Sequence, residues 1–371
     1  LATIVIAGWI VRYPMAAAVW HYLSYVLGFK KLGHDVYFLE DYGWENSCYN
    51  PETNEQGNDC SYGVRYLDKL LASFGLPKRW AYRDHTGRYH GMTRKETETL
   101  IARADLVLNC GGSCWLPAFA AAKRLAYLDE DPGFIQFQAA GGDKDAIELL
   151  DKHNVHYTYA RNIGKPSCRI PTGRYNWITT TCPVILDYWK PHIDPTLDTF
   201  TTVMSWKSYG GVTVYKGEKY GQKDVEFMRF KEVPRLVRQP IEVAIGGEGR
   251  CPEAQLRRLG WKLGDPHAIT KDLEGFRRYV RRSRGEFSVA KNCYTKSWSG
   301  WFSQRTILYV ASAKPVLIQD TGFSEWLPTG MGVVPFRTLD EILAGFEAIN
   351  ARYVDHCRAA RQLARKYFNP K

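Results

Sequence analysis

A chain of 371 residues is long for one hydrophobic core and comfortable for two of about 150–200 residues each. Hydrophobic residues at 45% and charged residues at 24% exclude a disordered chain, and no apolar run approaches the ~20 residues that span a bilayer. Apart from a cluster at 277–284, the basic residues behind the net charge of +11 are dispersed rather than run together, which disfavours nucleic acid as a partner, although an anionic acceptor, DNA included, is compatible with it.

The amino end, LATIVIAGWIV, is apolar without a basic leader and reads as a first strand rather than a signal peptide, so the cytoplasm is the expected location. Nine cysteines, at 48, 60, 110, 114, 168, 182, 251, 293 and 357, are scattered without CxxC pairs. Neither a disulfide framework nor a zinc site is indicated, and reduced thiols are expected.

Residues 3–10 predict a strand, 16–32 a helix and 35–39 a second strand, the opening of a Rossmann-like half. The first turn, Ala7-Gly8-Trp9-Ile10-Val11, is not GxGxxG, which counts against a dinucleotide-binding oxidoreductase. The polar stretch 42–63 carries Trp44, Tyr49 and Tyr62 and reads either as an acceptor lid or as a surface excursion pinned by its aromatics. A helix at 64–74, a hairpin at 80–90 and a capping box at Thr93-x-x-Glu96 follow. Strands at 105–109 and 124–128 end in Cys110-Gly111-Gly112-Ser113 and Asp129-Glu130-Asp131-Pro132-Gly133, both expected to open on a crevice.

Pro191 and Pro195 bracket a polar segment that is the best linker candidate, with a hinge expected near 191–198. A new half starts with a strand at 200–204, followed at once by Trp206-Lys207-Ser208-Tyr209-Gly210-Gly211. A helix near Gln222-Lys223 and a strand at 241–245 come next. The basic run Arg277-Arg278-Tyr279-Val280-Arg281-Arg282-Ser283-Arg284 reads as the solvated face of a helix or as a patch for an anionic surface.

The organising stretch is 285–327. It has an apolar run at 287–290, a polar and aromatic turn at 292–299, a helix opening between Ser299 and Ser303, Pro315 as its stop, and a strand at 315–318 ending in Gln319-Asp320-Thr321-Gly322. A helix start facing a strand's carboxyl end aims unpaired N–H groups and a positive dipole end into one crevice, where an anion is the natural guest. The chain closes on an amphipathic helical stretch at 339–368.

The register Ala311-Ser-Ala-Lys-Pro315-Val-Leu-Ile-Gln-Asp320-Thr-Gly322, within the longer run FSVAKN…SGWFSQR…YVAS…PV…QDTGFS…LPTG, resembles the donor half of glycosyltransferases of the B-type (GT-B) fold, in a bacterial subgroup. The resemblance implies an α/β protein with two Rossmann-like domains facing a central cleft. The acceptor side would be 1–192 with the returning carboxyl-terminal helix, about 352–371, and the donor side 199–351. The implied activity is metal-independent transfer of a sugar from a nucleotide-sugar, as co-substrate with no other cofactor, to a small-molecule or glycan acceptor. One departure matters: many retaining members carry two glutamates eight residues apart, and Gly300 and Leu308 stand at those places here. A binding module without transfer chemistry therefore stays an alternative, with a dinucleotide-dependent oxidoreductase the weaker one.

Under this resemblance Lys207 and Lys223 match the places of basic residues on the donor diphosphate, and Arg305 lies in the first turns of the phosphate-facing helix. Ser299, Gly300, Trp301 and Ser303 at the helix start, and Gln319, Asp320, Thr321 and Gly322 at the next strand end, complete the expected donor site. On the acceptor side Asp131, with Asp129 beside it, is a candidate base or a solvated turn, and His21 a candidate base or a core histidine. Asp129-Glu130-Asp131 has DxD spacing but lies in the half away from the donor, so no metal site is expected.

Overall fold

The computed structural model describes residues 1–208 and 211–370. In the first part of the chain the strands are β1 (Thr3–Ala7), β2 (Asp35–Asp41), a small hairpin β3 (Cys48–Asn50) and β4 (Glu55–Gly57), β5 (Trp80–Arg83), β6 (Tyr89–Gly91), β7 (Leu106–Cys110), β8 (Leu125–Asp129), β9 (Val155–Thr158) and β10 (Trp177–Thr179). In the second they are β11 (Phe200–Ser205), the hairpin β12 (Thr213–Tyr215) and β13 (Glu218–Tyr220), β14 (Ile241–Gly246), β15 (Lys262–Gly264), β16 (Gly285–Ser288), β17 (Val316–Gln319) and β18 (Val333–Phe336).

These strands form two principal sheets. One has the order β10-β9-β8-β7-β1-β2-β5-β6 and is parallel except for the β5–β6 edge pair; the other, β15-β14-β11-β16-β17-β18, is parallel throughout. Runs such as Val5–Ala7 and Val316–Ile318 are apolar at every position because helices cover both faces of such sheets. Each sheet reverses its winding once, beside β1 and β7 in the first and beside β11 and β16 in the second. Ligands in open α/β sheets sit beyond the strand ends at such points.

Most elements lie within a few residues of their expected bounds, and the differences have local causes. The first strand stops at Ala7 rather than at residue 10 because the amides of Ile10, Val11 and Arg12 turn to the buried Glu40 carboxylate, at 2.6, 2.7 and 2.9 Å, instead of to a neighbouring strand. The expected turn at 292–299 is instead a short helix, Asn292–Ser297, held by the buried Tyr294 ring and ended by Trp298 at φ 55°. The closing helix is broken at Arg352 (φ −136°) into Leu339–Ala351 and Tyr353–Leu363; the Tyr353 hydroxyl donates to the Arg284 carbonyl and its ring lies under the Arg284 guanidinium. Tyr209 and Gly210, from the polar run after β11, and the terminal Lys371 lie outside the described residues.

No helix or strand occurs among residues 180–199, between the two sheets. One apolar cluster nevertheless runs across both: Trp20 and Leu23 of the helix Ala16–Lys31 share it with Phe276, Ile307 and Leu308 of the second part and with Phe368 near the carboxyl end. The last residues return to the first part, where the Phe368 carbonyl accepts from the Val184 amide and Pro370 lies against Gly28.

Candidate functional site

The turn after β1 is where a dinucleotide fold would hold its phosphates on backbone N–H groups. Here those donors are already taken. Glu40, fully buried, gathers three of them and the Arg12 guanidinium, whose Nε lies 3.2 Å away. An internal carboxylate thus fills the anion position, and burial raises its pKa despite Arg12 and the amides.

The anion-binding chemistry lies across the molecule. A cavity of about 360 Å³ opens between the carboxyl ends of the two sheets. Its second-sheet wall includes Ser205, Gly246 and Gly247 from the ends of β11 and β14, together with Lys223, Lys291, Tyr294, Trp301, Ser303 and Arg305. The helix Gln304–Ala311 starts there, with Ser303 as an N-cap whose side chain makes no capping bond. The amides of its first turn therefore stay available to a ligand.

Three cations share this wall. Arg305 is aimed by two bonds, Nε to Glu286 Oε1 at 2.8 Å and Nη2 to Ser288 Oγ at 2.9 Å, both partners on β16. Burial, and next the Arg305 charge, push the Lys223 ammonium well below the ordinary lysine value, against the pull of Glu286. Lys291 lies three residues beyond the end of β16, at the winding reversal, and its ammonium lies 2.9 Å from the Asp131 carboxylate.

The opposite wall comes from the first sheet: Trp9, Tyr13, His21, Tyr22, Tyr159, Glu130 and Asp131. His21, on the helix Ala16–Lys31, places Nε2 2.7 Å from Glu130 Oε1 and Nδ1 3.6 Å from Cys182 Sγ. Burial alone would lower the imidazole pKa; Glu130 and Cys182 outweigh it, and the value ends well above the ordinary one. Asp131 accepts from the Tyr294 hydroxyl as well as from Lys291. Asp129 turns away from the cavity to accept from Thr158 Oγ1 at 2.6 Å and Gln136 Nε2 at 2.5 Å, and burial pushes its carboxyl up to about 7.

Of the residues expected from the sequence, His21, Asp131, Lys223, Trp301, Ser303 and Arg305 come together on this cavity. The others are placed differently. Lys207 is half exposed and pairs with Asp224 at 3.4 Å, outside the wall. Gly300 and Gly322 adopt φ 75° and 93° because Asn162 of the first part docks on them; a Cβ would come within 2.8 and 2.6 Å of Asn162. The Asn162 side-chain amide donates to the Gly322 carbonyl at 2.9 Å, and its backbone amide donates to the Ser299 carbonyl at 3.0 Å.

Ser299 is fully buried and accepts from the Trp301 amide, so it shapes the loop rather than facing the cavity. The Gln319 side chain is spent between the Ala290 amide and Glu226. Asp320 is tied to Gly322, Ser324 and Arg337, and the Thr321 hydroxyl donates to the Trp301 carbonyl. These four residues brace the helix start from behind.

Lys291, Tyr294, Glu130 and Glu286 were not expected. For Lys291 a signal existed: it is the first charged residue after the run 287–290, which leaves the sheet beside the winding reversal. Glu286 carried another, a charged residue inside a strand buried on both faces, which requires a cationic partner. Among the described residues one group has the composition and closeness of a metal site, Cys60, Asp84 and His90, and none of the three lines the cavity.

No family model matches the sequence, and no curated protein matches it. Solved structures do resemble it in fold. HepE of Anabaena in complex with UDP-glucose superposes with a TM-score of 0.60 at 10% identity, over 100% of this chain and 96% of that one. An alpha-glucosyltransferase in complex with UDP and a 13-mer DNA containing a central A:G mismatch gives 0.59 at 10% identity, over 99% and 96%. With two Rossmann-like sheets facing a cavity between their carboxyl ends and a carboxyl-terminal segment that crosses back to the first, the chain has the GT-B fold of nucleotide-sugar glycosyltransferases.

Proposed function

We propose that this protein is a glycosyltransferase that binds a nucleotide-sugar by its diphosphate against the second sheet and passes the sugar to an acceptor hydroxyl bound over the first. The observation that carries this reading is the convergence of Lys223, Arg305 and the uncapped first turn of the helix Gln304–Ala311 on one cavity wall. Fixed cations and N–H donors of this kind stabilise the charge that develops on a departing diphosphate, so the transfer is proposed to be metal-independent. The two sheets are proposed as the cores of two domains, 1–192 and 199–351, hinged at 191–198, with 352–371 returning to the first.

A uridine diphosphate sugar is the first donor to try, because both fold neighbours above were solved with UDP or UDP-glucose. Trp9 and Tyr13 on the opposite wall offer rings on which a sugar or other small-molecule acceptor can stack. Asp131 is proposed to take the acceptor proton, with His21 and Glu130 fixing the neighbouring charge.

The test is release of free nucleoside diphosphate from a panel of nucleotide-sugars, with and without a chelator, against glycan, small-molecule and duplex-DNA acceptors. DNA belongs in the panel because of the net charge of +11. Acceptor-dependent release that survives chelation is expected. If no nucleotide-sugar is turned over while a nucleoside diphosphate still raises the melting temperature, the protein is a binding module; if none does either, the site assignment falls.

A further inference from the structure

On the far edge of the first sheet three side chains, one from the residue before the helix Ser61–Ser73 and two from the β5–β6 hairpin, point at one spot. His90, on β6, places Nε2 2.8 Å from Asp84 Oδ2 and 3.8 Å from Cys60 Sγ. All three ligand atoms lie within 4.8 Å of one another. A tetrahedral zinc ion bound at its usual bond lengths would separate such atoms by about 3.4–3.6 Å, so shifts on the order of 1 Å would bring all three to bonding distance.

The carboxylate is held ready for one such bond. Asp84 Oδ1 accepts from the Thr86 amide at 2.9 Å, the Thr86 hydroxyl at 2.6 Å and the Arg88 amide at 3.0 Å, which leaves Oδ2 turned toward His90 and Cys60. Support of a ligating carboxylate from outside the coordination sphere is a regular feature of metal sites. Asp84 and Cys60 are only 7% and 9% exposed and His90 is half-buried, so the site is largely shielded from bulk water.

The position suits a staple. Cys60 precedes the helix Ser61–Ser73 and closes the excursion that began at Tyr42, whose residues 44–46 and 52–56 are exposed and add little to any core. That excursion carries Tyr49, whose ring packs at 5.3 Å on Tyr13 at the cavity mouth. We propose that Cys60, Asp84 and His90 bind one zinc ion that fastens this loop to the edge of the first sheet. A thiolate, an imidazole and a carboxylate together select zinc over calcium or magnesium.

The experiment is titration of the reduced, chelator-stripped full chain with Zn²⁺ in competition with a chromophoric chelator, and with Co²⁺ as a spectroscopic stand-in. One equivalent of tight Zn²⁺ is expected, together with a thiolate-to-cobalt absorption band. Both should be lost in Cys60→Ser and weakened at least ~10-fold in Asp84→Asn, whose side-chain oxygen can still accept the Thr86 and Arg88 bonds. Cys168→Ser, at a partly exposed thiol outside the group, should change neither. Proteolysis within 43–59 should slow when Zn²⁺ is added to the wild type. Equal Zn²⁺ binding by wild type and Cys60→Ser, or no binding above that of the Asp84→Asn variant, overturns the proposal.

Discussion

The Lys291 ammonium lies 2.9 Å from the Asp131 carboxylate across 160 residues of sequence, and so joins the loop after β8 to the loop after β16. Tyr294 reaches the same carboxylate from the second part. An acid held between a cation and a hydroxyl donor is fixed in direction, one condition for accepting a proton from a bound hydroxyl. Asp131→Asn is therefore expected to lower kcat by ~100-fold or more without weakening nucleoside diphosphate binding. Initial rates and calorimetry check this; an Asn variant of normal kcat moves the role elsewhere.

Glu130 and His21 form a second pair on the same wall, and its charge state can be read directly. Burial disfavours the imidazolium, so its persistence rests on Glu130 and, to a lesser degree, on Cys182. Glu130→Gln should lower the His21 pKa and shift the imidazole toward its neutral form. An NMR titration of the histidine ring signals, assigned with His21→Gln, measures it. An unchanged His21 titration in Glu130→Gln would show that the carboxylate does not set its charge.

Much of the architecture was legible because parallel strands buried on both faces are written as short apolar runs; 200–204, 241–245 and 315–318 all became strands of the second sheet. The helix start near Ser303 was legible for a related reason, since a polar, small-residue segment before an apolar helical stretch marks an N-cap. What sequence order conceals is which loops meet. Gly300 and Gly322 were expected in the donor site; the string does not show that Asn162, from the other part of the chain, packs against both where they adopt positive φ. The charged residues of Asp129-Glu130-Asp131 could not be told apart in the string: one turns inward to Thr158, one meets His21 and one meets Lys291.

Asp129 gives a prediction about stability and pH. Its carboxyl is raised by burial from 3.8 to about 7 in the folded chain. A group with the higher pKa in the folded state binds more protons there, so its contribution to stability is present below about pH 4 and lost as pH rises toward 7. Asp129→Asn keeps an oxygen for Thr158 and Gln136 but cannot ionise. Thermal unfolding from pH 4.5 to 7.5 should show wild type losing stability relative to Asp129→Asn across this window. Parallel curves for the two proteins would mean that Asp129 does not titrate in this range.

The diphosphate contact is best tested with its internal constraints respected. Arg305→Ala alone would leave the fully buried Glu286 without its partner, a loss on the order of 3–5 kcal/mol that would confuse folding with binding. The double change Glu286→Gln with Arg305→Met removes both charges together and, like Lys223→Met, should weaken nucleoside diphosphate binding by ~10- to 100-fold, the usual worth of one charge-assisted contact. Affinity for the unphosphorylated nucleoside should stay within about twofold, and Lys207→Ala, outside the cavity wall, should leave both affinities unchanged. The depressed Lys223 pKa adds a second readout. A diphosphate anion beside such a lysine favours its charged form, so binding should take up protons at any pH where the free lysine is partly neutral, seen as a binding enthalpy that varies with the ionisation enthalpy of the buffer. Lys223→Met should bind without that uptake. If the lysine variant binds as tightly as wild type with the same buffer dependence, the diphosphate does not rest against this wall.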